Sequence, residues 1–274
     1  MKHEEAIEFS IPFGAYKNWR LSSYPYPDWA EIFNLKHMIL FAIPIALSYP
    51  PGVILNYSYT SGVLERVSNL PTTSQELYIT AFKKIIQYFK QIVPPNLKLA
   101  LVDIRKYYNS KQLESELIDN FNSNIKNWQS KYCDEIRIKK LESAKNNLVI
   151  NGIEDLSTLT SQELEKRHIE SAMWCDALDS LELRRGFNKY GHRIQLVYIR
   201  GPNHSLHIGS CRTANIQFVM GSGVIEKRHN SFIETIMSAN QIKKLDNENK
   251  IKRYNINGLV PFKLTSLENI FVKE

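Results

Sequence analysis

The sequence has few cysteines, and their arrangement points to neither a metal site nor a disulfide framework. Cys133, Cys175 and Cys211 stand far apart among the 274 residues, and no two of them form a CxxC pair. This spacing excludes a zinc ribbon and a thioredoxin motif, and it favours a reducing compartment. His204 and His207 lack a third ligand at a suitable spacing for a metal ion. We therefore expect a cytoplasmic protein with no metal and no cofactor.

Long apolar runs are also missing. The first ten residues, MKHEEAIEFS, contain several acids and no apolar core, which excludes a signal peptide there. The most apolar stretch, residues 38–47, contains Pro44 and is much shorter than the roughly 20 residues that cross a bilayer. We expect it to form a buried helix, and we expect no membrane partner.

The charge balance is basic. The chain carries a net charge of +7, with 43% apolar and 23% charged residues. An apolar fraction of this size supports a globular core, and the length allows one large α/β domain or two small ones. A positive charge suits anionic partners such as sugar phosphates, nucleotides, RNA or anionic lipid. A lysine-rich solvated surface accounts for the same net charge.

The first clear element is a helix that begins after a proline-rich turn. Asp28 and Glu31 have the spacing of a capping box, and this pairing explains both carboxylates without catalysis. The helix is predicted to run to about residue 47, with a kink or break at Pro44. Residues 53–58 are β-branched and aromatic and predict a strand.

A second helix and strand complete a βαβ pattern. Thr73 and Glu76 have capping-box spacing, and apolar residues follow them at helical intervals. Residues 97–104, LKLALVDI, predict the next strand. Strand, crossover helix and strand in this order are typical of a parallel sheet.

The middle of the chain is polar and helical, and the last third is rich in strands. Thr160 and Glu163 predict the start of a helix that reaches about Arg185 and ends at Gly186. Short strands and turns follow from about residue 193, with a helix near 238–245 and a last strand near 269–272. The Gly221-x-Gly223 pair opens no helix, so we interpret it as a turn or bulge.

The pattern predicts an α/β fold with a Rossmann-like mixed sheet flanked by helices and antiparallel C-terminal strands. We expect a single domain, residues 1–274, with a helical insertion or lid at about 110–160.

The stretch from residue 10 to residue 31 is the first candidate for the functional site. It places Lys17 and Arg20 beside Gly14 and several aromatic rings, including Tyr16 and Trp19. Two cations ahead of a helix start can hold an anion, although the predicted cap at the helix start competes for that position. Solvated surface cations are the alternative interpretation.

Polar residues that follow the predicted strands are the second candidate. Ser61 comes after the first strand, and Arg105 and Tyr108 come after the next. Open α/β sheets bind ligands beyond the carboxyl ends of their strands. If residues 205–210 form a strand with Leu206 and Ile208 facing the core, His207 and Arg212 line the same cleft.

Several segments together resemble the pyoverdine/dityrosine biosynthesis family, the isocyanide synthases. The likeness in texture extends over about two thirds of the chain and includes PFGAYKNWR at 12–20, PDWAE at 27–31, YPPGVILNYSYTSG at 49–62 and RIQLVYIRGPNHSLHIGS at 193–210. The chain departs from the family's pattern at Ser61, where the family usually has an acidic residue, and at residues 217–219.

The resemblance implies a Rossmann-like enzyme that acts on a free amino acid such as tyrosine or tryptophan, with ribulose 5-phosphate supplying the isocyanide carbon and with no metal. It further implies that Lys17 and Arg20 hold phosphate. The amino-acid side would then be lined by Ser61, Arg105, Tyr108, His207 and Arg212.

Two other functions fit the sequence. An aminoacyl-tRNA-dependent transferase of the cyclodipeptide-synthase kind would use the same fold class, and the net charge and the basic residues at 243–253 suit tRNA. A non-enzymatic ligand-binding protein would need only the rim of aromatic residues. Catalytic assignments from the sequence are Lys17, Arg20, Arg105, His207 and Arg212, and substrate-binding assignments are Tyr16, Trp19, Ser61 and Tyr108.

Overall fold

The computed structural model describes residues 5–107, 110–181, 194–197, 205–258, 261 and 263–274. The strands in these ranges are β1 (Ile7–Pro12), β2 (Val53–Tyr59), β3 (Leu97–Asp103), β4 (Ile194–Val197), β5 (Ser205–His207), β6 (Gly221–Arg228), β7 (Ser231–Ser238), β8 (Ile251–Asn255) and β9 (Asn269–Lys273). The α-helices are α1 (Trp29–Ser48), α2 (Leu64–Ser68), α3 (Thr72–Phe89), α4 (Ile104–Tyr107), α5 (Ser110–Lys126), α6 (Trp128–Lys131), α7 (Asp134–Asn147), α8 (Ser161–Ser180) and α9 (Ala239–Asn247).

The chain divides into two compact units. The first consists of Met1–Tyr59, Glu76–Val102 and Arg193–Glu274, and the second of Thr60–Gln75 and Asp103–His192. The stretch at 110–160, predicted as a helical insertion or lid, lies in the second unit. Its role as a lid and the single-domain organisation stay predictions.

The first unit contains a five-stranded parallel sheet flanked by helices, which confirms the Rossmann-like prediction. Its strand order is β3-β2-β1-β4-β5, so the chain moves outward from β1 first to one side and then to the other. β1 pairs in parallel with β2, aligning Phe9 with Leu55, and with β4, aligning Phe9 with Ile194. This order reverses beside β1, where doubly wound folds place their ligands.

The core of the first unit lies on this sheet. Phe13, Tyr57, Phe82 and Phe218 form a buried aromatic cluster with ring centroids 5.5 to 6.2 Å apart. These rings come from the loop after β1, from β2, from α3 and from a 3₁₀ turn before β6. Segments far apart in sequence are therefore held together by apolar burial.

Helix α1 begins as predicted. The Asp28 side chain accepts a hydrogen bond from the backbone N–H of Ala30, and the Glu31 carboxylate accepts one from the backbone N–H of Asp28. The helix continues through Pro44 to Ser48, so Pro44 does not end it. Within the described ranges α1 alone is long and apolar enough to cross a membrane, and half of that window is buried inside the fold. Its buried apolar residues, among them Leu35, Met38 and Ile39, belong to the core of the first unit.

The second sheet has the order β7-β6-β9-β8 and confirms the antiparallel C-terminal strands. β6 and β7 form an antiparallel hairpin, β8 pairs antiparallel with β9, and β6 runs parallel to β9. The interpretation of Gly221 and Gly223 as a turn or bulge is wrong, because both lie in β6 and pair with β7 in unbroken register. A Cβ atom on Gly223 would lie 2.4 Å from the carbonyl carbon of Trp29, so β6 passes too close to the start of α1 for any side chain.

In the second unit, helices pack on one another around small apolar clusters. Leu113 and Leu117 of α5 meet Ala177 and Leu178 of α8, and the rings of Phe121 and Trp174 stack with centroids 3.9 Å apart. The predicted capping box of Thr160 and Glu163 begins α8.

Two helix boundaries differ from the sequence prediction. α3 begins at Thr72, so Thr73 lies inside its first turn and does not cap it. α8 ends at Ser180 and not at Arg185, and Gly186 lies outside the described residues.

Candidate functional site

The loop between β1 and α1, residues 13–28, lies at the carboxyl end of the central strand of the parallel sheet. The strand order reverses at this point, and open α/β sheets bind ligands outside it. The loop is largely buried, and its backbone is joined to distant segments: Phe13 donates to the carbonyl of Ser58 and Asn18 to that of Val219.

Lys17 forms a buried ion network with the start of α1. Its Nζ donates to Oδ1 of Asp28 at 2.8 Å, to the two carboxylate oxygens of Glu31 at 2.9 and 3.1 Å, and to the carbonyl of Phe218 at 3.1 Å. The side chains of Lys17 and Glu31 are fully buried. A charge this far from water requires partners of opposite charge with good hydrogen-bond geometry, and the network supplies them.

Glu31 is the most perturbed carboxyl group of the network. Burial raises its pKa from 4.5 to about 7, while the neighbouring Lys17 ammonium limits the rise. The hydroxyl of Tyr78 also donates to Oε1 of Glu31 at 2.9 Å. Burial therefore favours the protonated form of Glu31 more than water would.

Asp28 faces both the network and a cavity. Its Oδ2 accepts from the Ser23 hydroxyl at 2.9 Å, while its Oδ1 accepts from Lys17 and from the helix backbone. The cavity has a volume of about 170 Å³ and is lined by Ser22, Ser23, Tyr24, Tyr26, Asp28, Trp29, Gly223, Arg253, Thr265, Ser266, Asn269 and Phe271. Asp28 is thus the carboxylate that connects the buried network with a ligand-sized space.

The wall opposite the loop is fixed to the start of α1 by two hydrogen bonds. Trp29 Nε1 donates to the carbonyl of Leu267 at 3.2 Å, and the Ser266 hydroxyl donates to the carbonyl of Pro27 at 2.6 Å. These bonds hold the segment before β9 beside the helix start. The cavity therefore has a defined wall, against which a ligand can be oriented.

The lining of this cavity suits a zwitterion. The Asp28 carboxylate can bind an ammonium group, and the Arg253 guanidinium can bind a carboxylate or phosphate. Tyr24, Tyr26 and Phe271 add aromatic side chains to the same lining. The described ranges hold no cluster of three His, Cys, Asp or Glu residues that could bind a metal ion.

The three other predicted residues of the loop have different surroundings. Tyr16 is buried, and its hydroxyl donates to the sulfur of Met220 at 3.7 Å. The Nε1 of Trp19 is buried and has no hydrogen-bond partner among the described residues. Arg20 is exposed, and its guanidinium carbon lies 5.1 Å from the centroid of the Trp19 ring.

Ser61 and Arg105 belong to the second unit. Nη1 of Arg105 donates to the Ser61 carbonyl at 2.8 Å, and Nη2 forms an ion pair with Glu114 at 2.8 Å. Arg105 thus links the turn after β2 to the turn after β3 by a hydrogen bond. Tyr108 lies outside the described residues. A cleft shared by Lys17, Ser61 and Arg105 stays a prediction.

His207 and Arg212 are exposed in the first unit. The strand that carries His207 ends at that residue, and Leu206 is 44% exposed, so the prediction that Leu206 faces the core is wrong. Arg212 lines another cavity, of about 280 Å³, together with Lys36, His37 and Glu234. That cavity shares no lining residue with the Asp28 cavity.

Sequence reasoning missed several residues of the site. Tyr78 was assigned to no role, Arg253 was counted only as part of a basic run, and Gly223 was assigned to a turn or bulge. A buried glycine inside a strand signals a close backbone approach, and this signal could have identified Gly223. Nothing local in the sequence marks Tyr78 or Arg253, because their partners are distant along the chain.

Comparison with known proteins supports the fold. No family model and no curated protein matches the sequence. Among solved structures, the PvcA protein from Pseudomonas aeruginosa matches with a TM-score of 0.63 and 16% identity over 99% of this chain and 87% of that one. A CDPS from Fluoribacter dumoffii matches at a TM-score of 0.35 and 8% identity over 72% of this chain and 78% of its own, a score too low to support an inference.

The match to PvcA confirms the remote resemblance to the pyoverdine/dityrosine biosynthesis family that the sequence segments indicate. At this identity the likeness establishes the fold. The chain therefore has the fold of PvcA, a parallel sheet flanked by helices with a second, mixed sheet beside it.

Proposed function

We propose that this protein is a cytoplasmic biosynthetic enzyme that acts on a free amino acid, as an isocyanide synthase does, and condenses its amine with a phosphorylated pentose. The observation that carries the proposal is the Asp28 carboxylate in the wall of a cavity that also contains Arg253. An acid and a guanidinium in one small cavity match the ammonium and carboxylate of an α-amino acid. The fold shared with PvcA is consistent with this class of enzyme.

The network behind Asp28 gives the cavity a means of handling protons. An amine attacks a carbonyl group only after it has lost its proton, and Asp28 would be the acceptor next to the bound ammonium. Lys17 and the backbone of Ala30 hold the Asp28 carboxylate in place through Oδ1. Glu31, with its pKa of about 7, provides a further proton-exchanging group on the far side of Lys17.

Titration calorimetry with L-tyrosine and L-tryptophan tests amino-acid binding. The informative variant is Asp28→Asn, because asparagine also caps a helix but carries no charge. A matched control is Asp155→Asn, which makes the same change at the cap of a 3₁₀ turn in the second unit. We expect Asp28→Asn to weaken binding at least about tenfold, the cost of one charge-assisted hydrogen bond, and Asp155→Asn to bind like the wild type.

Mass spectrometry of incubations with amino acid and ribulose 5-phosphate tests turnover. The proposal requires consumption of the amine in the wild type and its loss in Asp28→Asn. Failure of the wild type to bind any amino acid overturns the proposal. Binding without turnover would indicate the non-enzymatic ligand-binding alternative.

Basic residues on α9 and β8 favour the second candidate, an aminoacyl-tRNA-dependent transferase. Lys243 and Arg253 line one groove in this region. Much of the remaining charge is neutralised, since Lys250 pairs with Glu248 and Lys252 with Glu274. A filter-binding assay separates the candidates, because tRNA binding that weakens steeply with salt would support the transferase.

A further inference from the structure

The outer face of α1 carries apolar side chains where a helix at a protein surface usually carries polar ones. Leu40, Pro44 and Leu47 form one exposed stripe at helical spacing. Leu40 is 58% exposed and Leu47 is 69% exposed. Residues 37–48 contain no aspartate, glutamate, lysine or arginine. The core of the first unit accounts for the inner face of this helix, and it leaves the apolar outer face without a structural reason.

The hairpin of β6 and β7 runs along α1 and has its tip near Leu40. Gly223 lies against the start of the helix, and Glu234 forms an ion pair with Lys36 at 2.7 Å. Nearer the tip, Phe232 and Leu40 line the same cavity of about 280 Å³, and Phe232 is 70% exposed. The exposed end of α1 and the exposed ring are therefore neighbours. We call the surface formed by Leu40, Pro44, Leu47 and Phe232 the apolar face.

Basic side chains surround the apolar face. Lys227 is opposite Phe232 in the register of the hairpin, so the two side chains lie on the same face of the sheet. Arg228 follows Lys227 at the end of β6, and Arg212 lines the cavity that contains Phe232. All three cationic side chains belong to exposed residues. An apolar centre with a basic rim is the pattern of proteins that bind anionic lipid surfaces.

The carboxylates near this rim already have lysine partners. The ion pairs have N–O distances of 2.6–2.7 Å and are Glu226–Lys273, Glu234–Lys36 and Glu274–Lys252. Arg228 also contacts Glu226 at 2.9 Å, and the pKa of Glu274 is lowered mainly by Lys252 and further by Lys227. Because each of these carboxylates is paired with a lysine, Arg212, Lys227 and Arg228 make the formal charge around the apolar face positive.

An anionic bilayer fits this surface better than a second copy of the chain does. Twofold pairing would bring the face against itself, and its cations would then oppose one another. A standard interface also buries about 800 Å² on each partner, which three large apolar side chains and one proline do not supply alone. A bilayer accepts separate apolar side chains without a matching shape, and its headgroups attract lysine and arginine.

We propose that this protein docks on the surface of anionic membranes through the apolar face. Leu40, Leu47 and Phe232 enter the boundary between headgroups and acyl chains, and Lys227 and Arg212 face the headgroups. The inner face of α1 stays in the core, so the helix lies at the membrane surface. The expectation of no membrane partner rests on the lack of a long apolar run, which surface docking does not require. The inference is independent of the proposed function.

Flotation of the full chain with lipid vesicles tests the proposal. We expect binding to vesicles of phosphatidylcholine mixed with phosphatidylglycerol, and much weaker binding to phosphatidylcholine alone. Phe232→Ser and Leu47→Ser should each weaken binding about tenfold, because each removes a side chain that the lipid buries. The matched control is Tyr254→Ser, since Tyr254 is also an exposed aromatic residue but lies on β8, at the opposite edge of the same sheet. This variant should bind like the wild type.

Lys227→Gln tests the contribution of charge. Loss of one lysine near the surface of an anionic membrane should weaken binding about fivefold, and added salt should weaken the binding of the wild type. Lys244→Gln makes the same change at an exposed lysine of α9, outside the rim of the apolar face, and should change binding less than about twofold. Melting temperatures establish that all variants are folded.

Three results would overturn the proposal. The first is a wild-type protein that does not bind the mixed vesicles, and the second is an equal loss of binding in Phe232→Ser and Tyr254→Ser. The third is a lipid-free dimer in sedimentation velocity that Leu47→Ser dissociates, because the apolar face would then serve a second copy. Amino-acid binding is measured without vesicles, so this proposal and the proposed function can fail separately.

Discussion

The ammonium nitrogen of Lys17 lies 2.9 Å from Oε2 of Glu31, and neither side chain is exposed to solvent. The pair joins the loop after β1 to the first turn of α1. The same ammonium contacts Asp28, the carboxylate in the wall of the cavity. A buried ion network thus supports the residue to which we assign substrate binding, and its energetics can be measured.

Removing Lys17 should destabilise the protein strongly. Lys17→Met leaves two buried carboxyl groups without their cation, and breaking a buried ion pair costs about 3–5 kcal/mol. The free energy of unfolding, from urea denaturation followed by circular dichroism, measures this loss. Arg20→Ala is the control on the same loop and should cost less than about 1 kcal/mol, because Arg20 is exposed.

The double variant Lys17→Met with Glu31→Gln identifies the cause. If an unpaired carboxyl group is responsible, the double variant should be more stable than Lys17→Met alone, because the amide carries no charge. If the double variant loses the sum of the stabilities that the two single substitutions remove, the network as described is contradicted.

The stability of the protein should respond to pH through Glu31. A carboxyl group whose pKa rises on folding keeps its proton in the folded state at pH values where the unfolded state has lost it. With a folded pKa of about 7 against 4.5, the contribution of Glu31 to the free energy of unfolding falls as the pH rises through this window. The fall amounts to about 3 kcal/mol, since one pH unit of pKa shift corresponds to about 1.4 kcal/mol.

Urea denaturation of the wild type and of Glu31→Gln between pH 4.5 and 8 isolates this contribution, because other titrating groups affect both proteins alike. The stability of the wild type relative to the variant should decrease with rising pH. A difference that stays constant over the window would contradict the raised pKa.

Tyr78→Phe should have a smaller and more local effect. The variant removes the hydrogen bond from the tyrosine hydroxyl to Oε1 of Glu31 and keeps the buried ring in the core. A hydrogen bond to a charged group contributes about 1.5–3 kcal/mol. We expect the free energy of unfolding to fall by an amount in this range at pH 8 and by less at pH 5, where Glu31 is protonated. A fall of the same size at both pH values would rule out this dependence on charge.

Gly223→Ala should displace the start of α1, which forms part of the cavity wall. The added methyl group would lie within 2.6 Å of backbone atoms of Trp29 and Ala30, and overpacking of this kind costs about 1–3 kcal/mol. Amino-acid affinity should fall as well, because the start of α1 positions Asp28. Gly258→Ala is a useful comparison: among the described residues no atom lies within 4 Å of the added group, and its φ of +83° makes backbone strain the expected cost. Equal amino-acid affinity in both variants would argue against crowding at the helix start.

Much of the secondary structure could be predicted because its causes are local. Asp28 and Glu31 are three residues apart, and a capping box needs only that spacing and a helix between them. Thr160 with Glu163 satisfied the same rule. Thr73 with Glu76 had the same spacing, but α3 begins at Thr72, two residues before the start that a cap at Thr73 predicts, so spacing alone does not set the boundary.

The candidate site depends on contacts that no local pattern reveals. Lys17 was predicted as a cation for phosphate, yet the fold buries it against two carboxylates. The cavity beside Asp28 and the groove lined by Lys243 and Arg253 are assembled from the loop after β1, α9, β8 and the segment before β9. Which of these segments come into contact depends on how the second sheet packs beside the start of α1. That packing is a property of the whole unit.

The sequence by itself determined the start of α1, the parallel sheet and the run of C-terminal strands, because capping, periodicity and β-propensity act over a few residues. Only the tertiary structure decided that Lys17 neutralises buried carboxylates, that Gly223 lies against the helix start, and that Arg20, Lys243 and Arg253 surround one space. Burial changes what a charged side chain can do, and burial is decided by residues far away in the chain.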